Sequence, residues 1–365
     1  MARIVLFGAT GYTGRLTAEA LVARGARPLL AARSAAKLDA LVSDLGADLE
    51  TRVADVSDPA SVRGLVESGD VLVATVGPFV RHGAPAVEAA VAAGAFYLDS
   101  TGEPAFIRSV FERYGPQAER SGASLVTAFG YDWVPGNLAG ALALRDAGEA
   151  ATRIDIGYFT TGGGLGGMSG GTRASAAGAM TEPAFAWRGG IRTERGAMRR
   201  RSFEAAGKTR EAISVGSSEH FALPVLYPGL REVNVYLGWF SNARAMQAMS
   251  AVNHTILRIP GVKTGIEHLV ERFVPTSTGG PDEAAREATG SAIAAVAYDQ
   301  AGGELARVEV GGVNGYTFTG RVLAWGATSA LEQGMEATGA LGPASAFGLD
   351  RLEAGCAEAG IARVD

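Results

Sequence analysis

The chain has 365 residues and a net charge of −5, with 33 basic and 38 acidic side chains, which argues against nucleic acid as a partner. Its single cysteine excludes a disulfide framework, and its four histidines lack metal-ligand spacing, so we predict no metal site. We find no apolar run of membrane-spanning length and no basic-then-apolar leader, and we therefore expect a cytoplasmic protein without a membrane span.

The first predicted element is an apolar strand at residues 3–7 that runs into a glycine turn and then into a helical pattern. Free backbone N–H groups in a first helical turn, together with the helix dipole, form a site for a diphosphate. In such a turn the three glycines permit the tight bend, the approach of the diphosphate and close packing of the helix. We therefore predict dinucleotide contacts from this turn, by Gly8, Thr10, Gly11, Tyr12, Thr13 and Gly14.

The end of the second predicted strand, residues 28–32, indicates which dinucleotide is bound. An NAD site usually has an acidic residue there to bind the ribose 2′-hydroxyl, whereas this chain has Arg33 and Ser34, with Lys37 one turn later. A charge-assisted hydrogen bond to a 2′-phosphate contributes about 1.5–3 kcal/mol. The alternative is a solvated arginine at a strand end. The pattern favours NADP(H) as the cofactor.

Strands and helices continue to alternate to about residue 130, which predicts an α/β fold with a Rossmann, doubly wound parallel sheet. Ligands of such sheets lie beyond the carboxyl ends of the strands. Asp55 and Val56 are expected to border the adenine, although Asp55 could instead cap the next helix. Val76, Gly77 and Pro78 are expected near the nicotinamide. The further strands are predicted at residues 49–54, 71–75, 96–99 and 124–128, and the helices at 59–67, 84–93 and 106–121.

Beyond a helix that ends near residue 145, longer β-type runs predict an α+β domain with an antiparallel sheet. Its strands are predicted at residues 153–160, 232–240, 291–299 and 305–311. Two later helices, at 319–334 and 349–359, are expected to return to the Rossmann domain. The predicted domains are thus 1–135 for NADP, 136–318 for substrate and possible homodimer formation, and 319–365 for the returning helices.

Candidate catalytic groups follow the last strand of the Rossmann sheet. The candidate proton donors are Tyr131, Asp132, Tyr97 and Asp99, with His220 reaching from the second domain. Tyr131 and Asp132 are preferred, and the alternative for Asp132 is to cap the helix that starts near Pro135. No Tyr-x-x-x-Lys motif and no P-loop occurs, and the one G-x-S-x-G lies in a loose glycine run, which disfavours hydrolysis.

Substrate contacts are predicted from the second half of the chain. A hydroxyl-rich segment with Ser169, Gly170 and Thr172 could hold a substrate carbonyl or carboxylate, and the alternative is a capped helix after a flexible loop. His220 is also predicted to contact the substrate. A basic cluster is typical of a solvated face, or could receive an anionic carrier. Its members are Arg192, Arg195, Arg199, Arg200, Arg201, Lys208 and Arg210.

Four motifs together resemble the saccharopine dehydrogenase-like oxidoreductases, and in particular the branch of the trans-acting enoyl reductases. They are Gly8-Ala9-Thr10-Gly11-Tyr12-Thr13-Gly14, Thr75-Val76-Gly77-Pro78-Phe79, Tyr97-Leu98-Asp99-Ser100-Thr101-Gly102-Glu103 and Gly130-Tyr131-Asp132-Trp133-Val134-Pro135-Gly136. The resemblance implies a Rossmann domain, NADP(H) and reduction of a C=C or C=N bond.

These observations lead to one functional hypothesis with two alternatives. We expect an NADPH-dependent reductase that delivers hydride to an activated C=C bond of a small-molecule or carrier-bound enoyl or unsaturated carbonyl compound. The first alternative is an imine reductase of the saccharopine-reductase type. The second is a non-catalytic NADP-binding regulator, since no obligatory acid–base pair is evident in the sequence.

Overall fold

A computed structural model describes residues 2–162, 184–238 and 279–364. The chain forms two compact units, each with its own sheet. The first unit comprises Met1–Gly102, Phe106–Val134 and Gly315–Gly360. The second comprises Glu103–Ala105, Pro135–Asn314 and Ile361–Asp365.

The first unit contains a parallel sheet of seven strands. In chain order they are β1 Ile4–Phe7, β2 Leu29–Ala32, β3 Thr51–Val53, β4 Val71–Ala74, β5 Phe96–Asp99, β6 Ser124–Val126 and, much later, β15 Gly339–Ala340. Their order in space is β15-β6-β5-β4-β1-β2-β3. β1, β2 and β4 are apolar and buried at every position, as expected for a parallel sheet that helices cover on both faces.

The helices of this unit alternate with the strands and then return from the C-terminal part of the chain. They are α1 Tyr12–Ala23, α2 Ala35–Leu45, α3 Pro59–Arg63, α4 Phe79–His82, α5 Ala84–Ala93, α6 Pro104–Ser109, α7 Gly115–Ser121, α11 Gly315–Gln333, α12 Pro343–Phe347 and α13 Leu349–Ala359. The helix predicted at 106–121 is divided by a π-helical turn, Val110–Tyr114, because Pro116 cannot donate to a regular helical ladder.

The second unit contains a mixed sheet, with helices α8 Val134–Ala147, α9 Glu219–Leu226 and α10 Glu283–Glu287. Its main strands run in the order β10-β11-β12-β7-β13-β14-β16, and β8 pairs with β12 and β9. β12 and β7 are parallel and the other pairs are antiparallel, so the predicted antiparallel sheet includes one parallel pair. The strands are β7 Arg153–Gly162, β8 Ala184–Arg188, β9 Ile191–Glu194, β10 Arg200–Ala205, β11 Lys208–Ser214, β12 Glu232–Leu237, β13 Thr289–Tyr298, β14 Glu304–Gly312 and β16 Ile361–Arg363.

The end of the chain corrects one expectation. Residues 361–365 were predicted to belong to helices on the Rossmann domain, but they lie in the second unit, where β16 pairs with β14. Gly360, with φ of +102°, ends α13 in a left-handed conformation, and Ile361 is buried. A strand of three residues has no periodicity that a sequence pattern could detect.

Helix α11 packs on α1 at a glycine. A Cβ on Gly320 would lie 2.9 Å from the Cβ of Leu16 and 3.0 Å from its backbone. Helix propensity alone would make alanine more favourable than glycine by about 1 kcal/mol. The contact with Leu16 therefore determines whether an alanine at position 320 raises or lowers the free energy of unfolding.

We predict that Gly320→Ala lowers the free energy of unfolding by about 1–3 kcal/mol, because the added methyl group forces α11 away from α1. Urea denaturation measures the change. Arg321→Ala, at the exposed neighbouring position, is the control and should change stability by less than about 0.5 kcal/mol. A more stable Gly320→Ala protein would contradict the close contact.

Candidate active site

The turn after β1 has room only for glycine at two positions. Gly8 has φ of +92°, and a Cβ there would lie 2.7 Å from Oγ1 of Thr75 and 2.8 Å from Cγ2 of Val76. A Cβ on Gly14 would lie 2.9 Å from Cα of Ala9 and still closer to the carbonyl oxygen of Gly8. Because of these close contacts, the first turn of α1 packs directly against the end of β1.

The first turn of α1 suits an anion. Its first intrahelical hydrogen bond runs from the Arg15 N–H to the Gly11 carbonyl at 2.8 Å, and no side chain caps the helix at Gly11. The turn contains no acidic residue, and Gly8, Thr10, Gly11, Tyr12 and Thr13 are partly exposed. Unpaired N–H groups at the positive end of a helix bind a diphosphate. The predicted residues of this turn therefore fit a dinucleotide.

The residues predicted for the 2′-phosphate follow β2. Arg33 is exposed and makes no hydrogen bond or ion pair with other described residues, and Lys37 is also exposed. The Oγ of Ser34 accepts a hydrogen bond from the Lys37 N–H at 3.4 Å, so Ser34 also caps α2. The guanidinium of Arg33 is thus available to a bound anion, with no carboxylate of the described chain paired to it.

The hydrogen bonds of the next loop show whether Asp55 caps a helix or is available for contact with the adenine. Its Oδ1 accepts hydrogen bonds from the N–H and the Oγ of Ser57, both at 2.8 Å. These bonds, aided by the charges of Arg33 and His82, lower the pKa of Asp55. The helix α3 is capped instead by Asp58, which accepts from the Ala60 N–H. Asp55 is therefore not the cap, and its contact with the adenine stays a prediction, as does that of the partly buried Val56.

The loop after β4 lies against the glycine turn. Oγ1 of Thr75 donates to the carbonyl oxygens of Phe7 and Gly8, both at 3.2 Å. Val76 follows, and the Gly77–Pro78 peptide bond is cis. Val76, Gly77 and Pro78 are thus at the carboxyl edge of the sheet, beside the turn.

A buried carboxylate joins the loops after β5 and β6. Oδ1 of Asp99 accepts from the N–H groups of Thr101 and Ala128, both at 2.9 Å, and its Oδ2 accepts from Oγ1 of Thr127 at 2.7 Å. Burial raises the pKa of Asp99 to about 6, and hydrogen bonds, first those from Ala128 and Thr101, oppose the increase. Ala128 has φ of +59°, a left-handed conformation that is uncommon for alanine.

Tyr131 and Asp132 lie in the loop after β6, as predicted. The backbone N–H of Tyr131 donates to Oγ1 of Thr319 at 3.0 Å. A Cβ on Gly102 would lie 2.8 Å from Oδ2 of Asp132, so the loops after β5 and β6 meet there. Oδ1 of Asp132 is buried and has no hydrogen-bond partner among the described residues. Burial raises the pKa of Asp132 to about 7. Thr319 was not identified from the sequence, because it lies 188 positions from Tyr131 and no local motif marks it.

The predicted substrate residues divide into two groups. Ser169, Gly170 and Thr172 lie outside the described residues. His220 is fully buried in α9, and its Nδ1 lies 3.2 Å from the backbone nitrogen of Ser217. Burial lowers the pKa of His220 to about 3, so the ring is neutral. The Nε2 atom of this ring is buried and has no hydrogen-bond partner among the described residues, and the substrate role of His220 stays a prediction.

The basic cluster is only partly a solvated face. Arg201 pairs with the buried Asp155, Arg199 pairs with Glu194, and Arg200 lies 3.7 Å from Glu211. Ion pairs within the second unit therefore neutralise part of this charge. No helix of the described residues is both long and apolar enough to span a membrane.

The strand order of the first unit, with a glycine turn after its first strand, defines a Rossmann-type dinucleotide-binding protein, here joined to a mixed-sheet unit. Residues 4–126 match the family model described as the saccharopine dehydrogenase NADP-binding domain. The chain belongs to the saccharopine dehydrogenase-like family of NADP-dependent oxidoreductases. The predicted α/β fold, the family and the cofactor NADP(H) are thereby confirmed.

Known relatives match the chain over different shares of its length. A Mycobacterium tuberculosis protein named "Putative trans-acting enoyl reductase" is 32% identical over 412 aligned positions, which cover 96% of this chain and 95% of that protein. A trans-acting enoyl reductase of Mycobacterium ulcerans is 41% identical over 154 residues, which cover 41% of this chain and 37% of that protein. Saccharopine dehydrogenase (L-Glu forming) of Saccharomyces cerevisiae has the same fold, with a TM-score of 0.59 at 12% identity over 100% of this chain and 99% of that one.

We predict that Arg33→Ala weakens NADPH binding about 10- to 150-fold, which corresponds to the loss of about 1.5–3 kcal/mol from one charge-assisted hydrogen bond. NADH has no 2′-phosphate, so its affinity should stay within about threefold. Fluorescence titration gives both dissociation constants. Arg27→Ala, which removes an exposed arginine two residues before β2, is the matched control. Equal NADPH affinity in the two variants would contradict the role of Arg33.

Proposed function

We propose that this chain reduces an activated C=C bond of an enoyl or other unsaturated carbonyl compound, with NADPH as the reductant. One observation carries the proposal: the Asp132 carboxyl, at the carboxyl edge of the Rossmann sheet, has a buried Oδ1 without a partner among the described residues. A carboxyl group in that environment keeps a proton near neutral pH. The relative from Mycobacterium tuberculosis, aligned over nearly its whole length, supports enoyl reduction as the activity.

The chain's own residues divide the work between holding the cofactor and supplying a proton. NADPH, when bound, supplies the hydride. The N–H groups of the first turn of α1 hold the diphosphate, and Arg33 binds the 2′-phosphate. The residues proposed to hold the cofactor are Gly8, Thr10, Gly11, Tyr12, Thr13, Gly14, Arg33, Ser34, Lys37, Asp55, Val56, Val76, Gly77 and Pro78.

The reduced substrate gains negative charge and must receive a proton. Asp132 has no counter-charge among its described contacts, so its neutral form is favoured and can donate a proton from its carboxyl. Tyr131, which is 7% exposed, places a second hydroxyl donor in the same loop. A largely buried site strengthens either hydrogen bond to the developing charge.

A substrate panel tests the type of bond that is reduced. Consumption of NADPH is measured with small enones, enoyl thioesters of a pantetheine arm, and cyclic and amino-acid imines. Enones or enoyl thioesters should be reduced, and preference for the thioester would indicate a carrier-bound substrate. Turnover of imines alone would replace the proposal with the C=N alternative. Tight NADPH binding without any turnover would favour the non-catalytic regulator.

We predict that kcat falls as the pH rises above about 7, because the donor must be protonated and the pKa of Asp132 is raised to about 7. Asp132→Asn cannot donate the acidic proton, and we expect kcat to fall about 10²- to 10⁴-fold with little change in NADPH affinity. The pH dependence of kcat in the wild type and the variant gives the measurement.

Tyr131→Phe is the comparison for this prediction, since it removes the neighbouring hydroxyl and keeps the ring. A large loss of kcat in Tyr131→Phe together with near-normal turnover in Asp132→Asn would assign the proton to Tyr131. A wild-type profile without a decline between pH 6 and pH 9, a range that includes the deprotonation of a group with a pKa of about 7, would argue against any donor that titrates near 7.

A further inference from the structure

One carboxylate links the two loops that carry the proposed donor site. Asp99 ends β5, has no exposed surface, and accepts hydrogen bonds from both of these loops. Oδ1 accepts from Thr101 in the loop after β5 and from Ala128 in the loop after β6. Oδ2 accepts from Thr127. Loss of the carboxylate would therefore free both loops at the same time.

The position of Ala128 determines the position of Asp132. The Trp133 N–H donates to the Ala128 carbonyl oxygen at 3.0 Å, which closes a turn around residues 129–132. The Phe129 N–H donates to the backbone carbonyl of Asp99 at 2.6 Å. Ala128 is left-handed, so neighbouring bonds must hold a conformation that alanine alone disfavours. Asp99 accepts two of these bonds, one with its carboxylate and one with its backbone carbonyl.

The same carboxylate fixes the opposite wall of the site. Its bond to Thr101 sets the loop in which Gly102 follows, and a Cβ on Gly102 would lie 2.8 Å from Oδ2 of Asp132. The backbone at Gly102 thus lies against Oδ2 of Asp132.

We propose that Asp99 is a positioning residue for the reduction: it ties Thr101 to Ala128 and thereby holds the Asp132 carboxyl beneath the backbone of Gly102. This inference rests on the proposed function of Asp132. Asp99 does not itself contact substrate, because its side chain is buried and three donors occupy its oxygens.

Asp70 provides a matched control for a merely structural role. It is also buried, and its carboxylate also accepts two backbone N–H groups, from Arg3 and Glu67, each at 2.9 Å. It directly precedes β4, at the amino edge of the same sheet, whereas Asp99 ends β5 at the carboxyl edge. Replacement of either residue destabilises the first unit, but only Asp99 touches the donor loops.

The experiment compares Asp99→Ala, Asp99→Asn and Asp70→Ala in the full-length protein. Hydrogen exchange of the backbone, measured by mass spectrometry, should show faster exchange at residues 127–133 in Asp99→Ala but not in Asp70→Ala. With the substrate found in the panel, Asp99→Ala should lower kcat at least about tenfold at a nearly unchanged NADPH dissociation constant, since small misplacements of a donor are costly. Asp70→Ala should keep kcat within about threefold.

Asp99→Asn is the conservative variant. Its amide oxygen accepts the two backbone N–H groups and its NH₂ group donates to the Thr127 hydroxyl, so both the exchange pattern and kcat should return close to those of the wild type. If Asp99→Ala does not fold, Asp99→Ser, which accepts fewer of the three bonds, takes its place. An Asn variant as inactive as the Ala variant would overturn the proposal, because it would require the acid itself.

Equal effects of the Asp99 and Asp70 variants on exchange at 127–133 would also overturn it. These outcomes are separate from a failure of the proposed function. A wild-type protein that reduces no member of the panel removes the reductase proposal, while hydrogen exchange still decides whether Asp99 holds the two loops.

Discussion

The close packing of α1 against the end of β1 is the constraint on which the rest of the first unit depends. Gly14 lies so near Ala9 and the Gly8 carbonyl that no side chain fits between them. The N–H groups of the first helical turn therefore lie at the carboxyl edge of the sheet, beside the loop after β4. A negatively charged diphosphate compensates N–H groups that the helix itself cannot satisfy. The geometry thus favours a dinucleotide before any particular side chain is considered.

The proposed proton donor, Asp132, lies in an environment that is electrostatically opposite to that of the glycine turn. The glycine turn offers uncompensated positive ends of N–H dipoles, whereas the loop after β6 offers a carboxyl group without a described positive partner. Burial of such a group favours the protonated form, because the ionised form would lose its hydration without gaining a counter-charge. Asp99, at the end of the neighbouring strand β5, is also buried, but hydrogen bonds stabilise its ionised form. Under the proposed function, Asp132 donates the proton and Asp99 holds the loops that position it.

Local patterns predicted the first unit well because its parts are encoded locally. The strand–glycine–helix sequence at residues 4–14, the arginine after β2 and the order of the alternating elements each depend on neighbouring residues. The second unit was predicted only in outline, since the parallel pairing of β12 with β7 joins segments that are distant in sequence. The contact of Thr319 with Tyr131, the strand β16 and the role of Asp99 also depend on distant partners. A single sequence contains no local signal for such pairings.

Helix α11 comes from the C-terminal part of the chain and packs in the first unit through three contacts. Within one helix, Tyr316 packs edge-on against Tyr12 of the glycine turn, Thr319 accepts from the Tyr131 N–H, and Gly320 admits Leu16 of α1. A helix of 19 residues is stiff over this length, so its first two turns fix the distance between the nucleotide turn and the donor loop. The two loops come from strands that are not adjacent in the sheet, and hydrogen bonds between strands alone would leave their tips free to move. Helix α11, from the far end of the chain, therefore connects the glycine turn to the loop after β6.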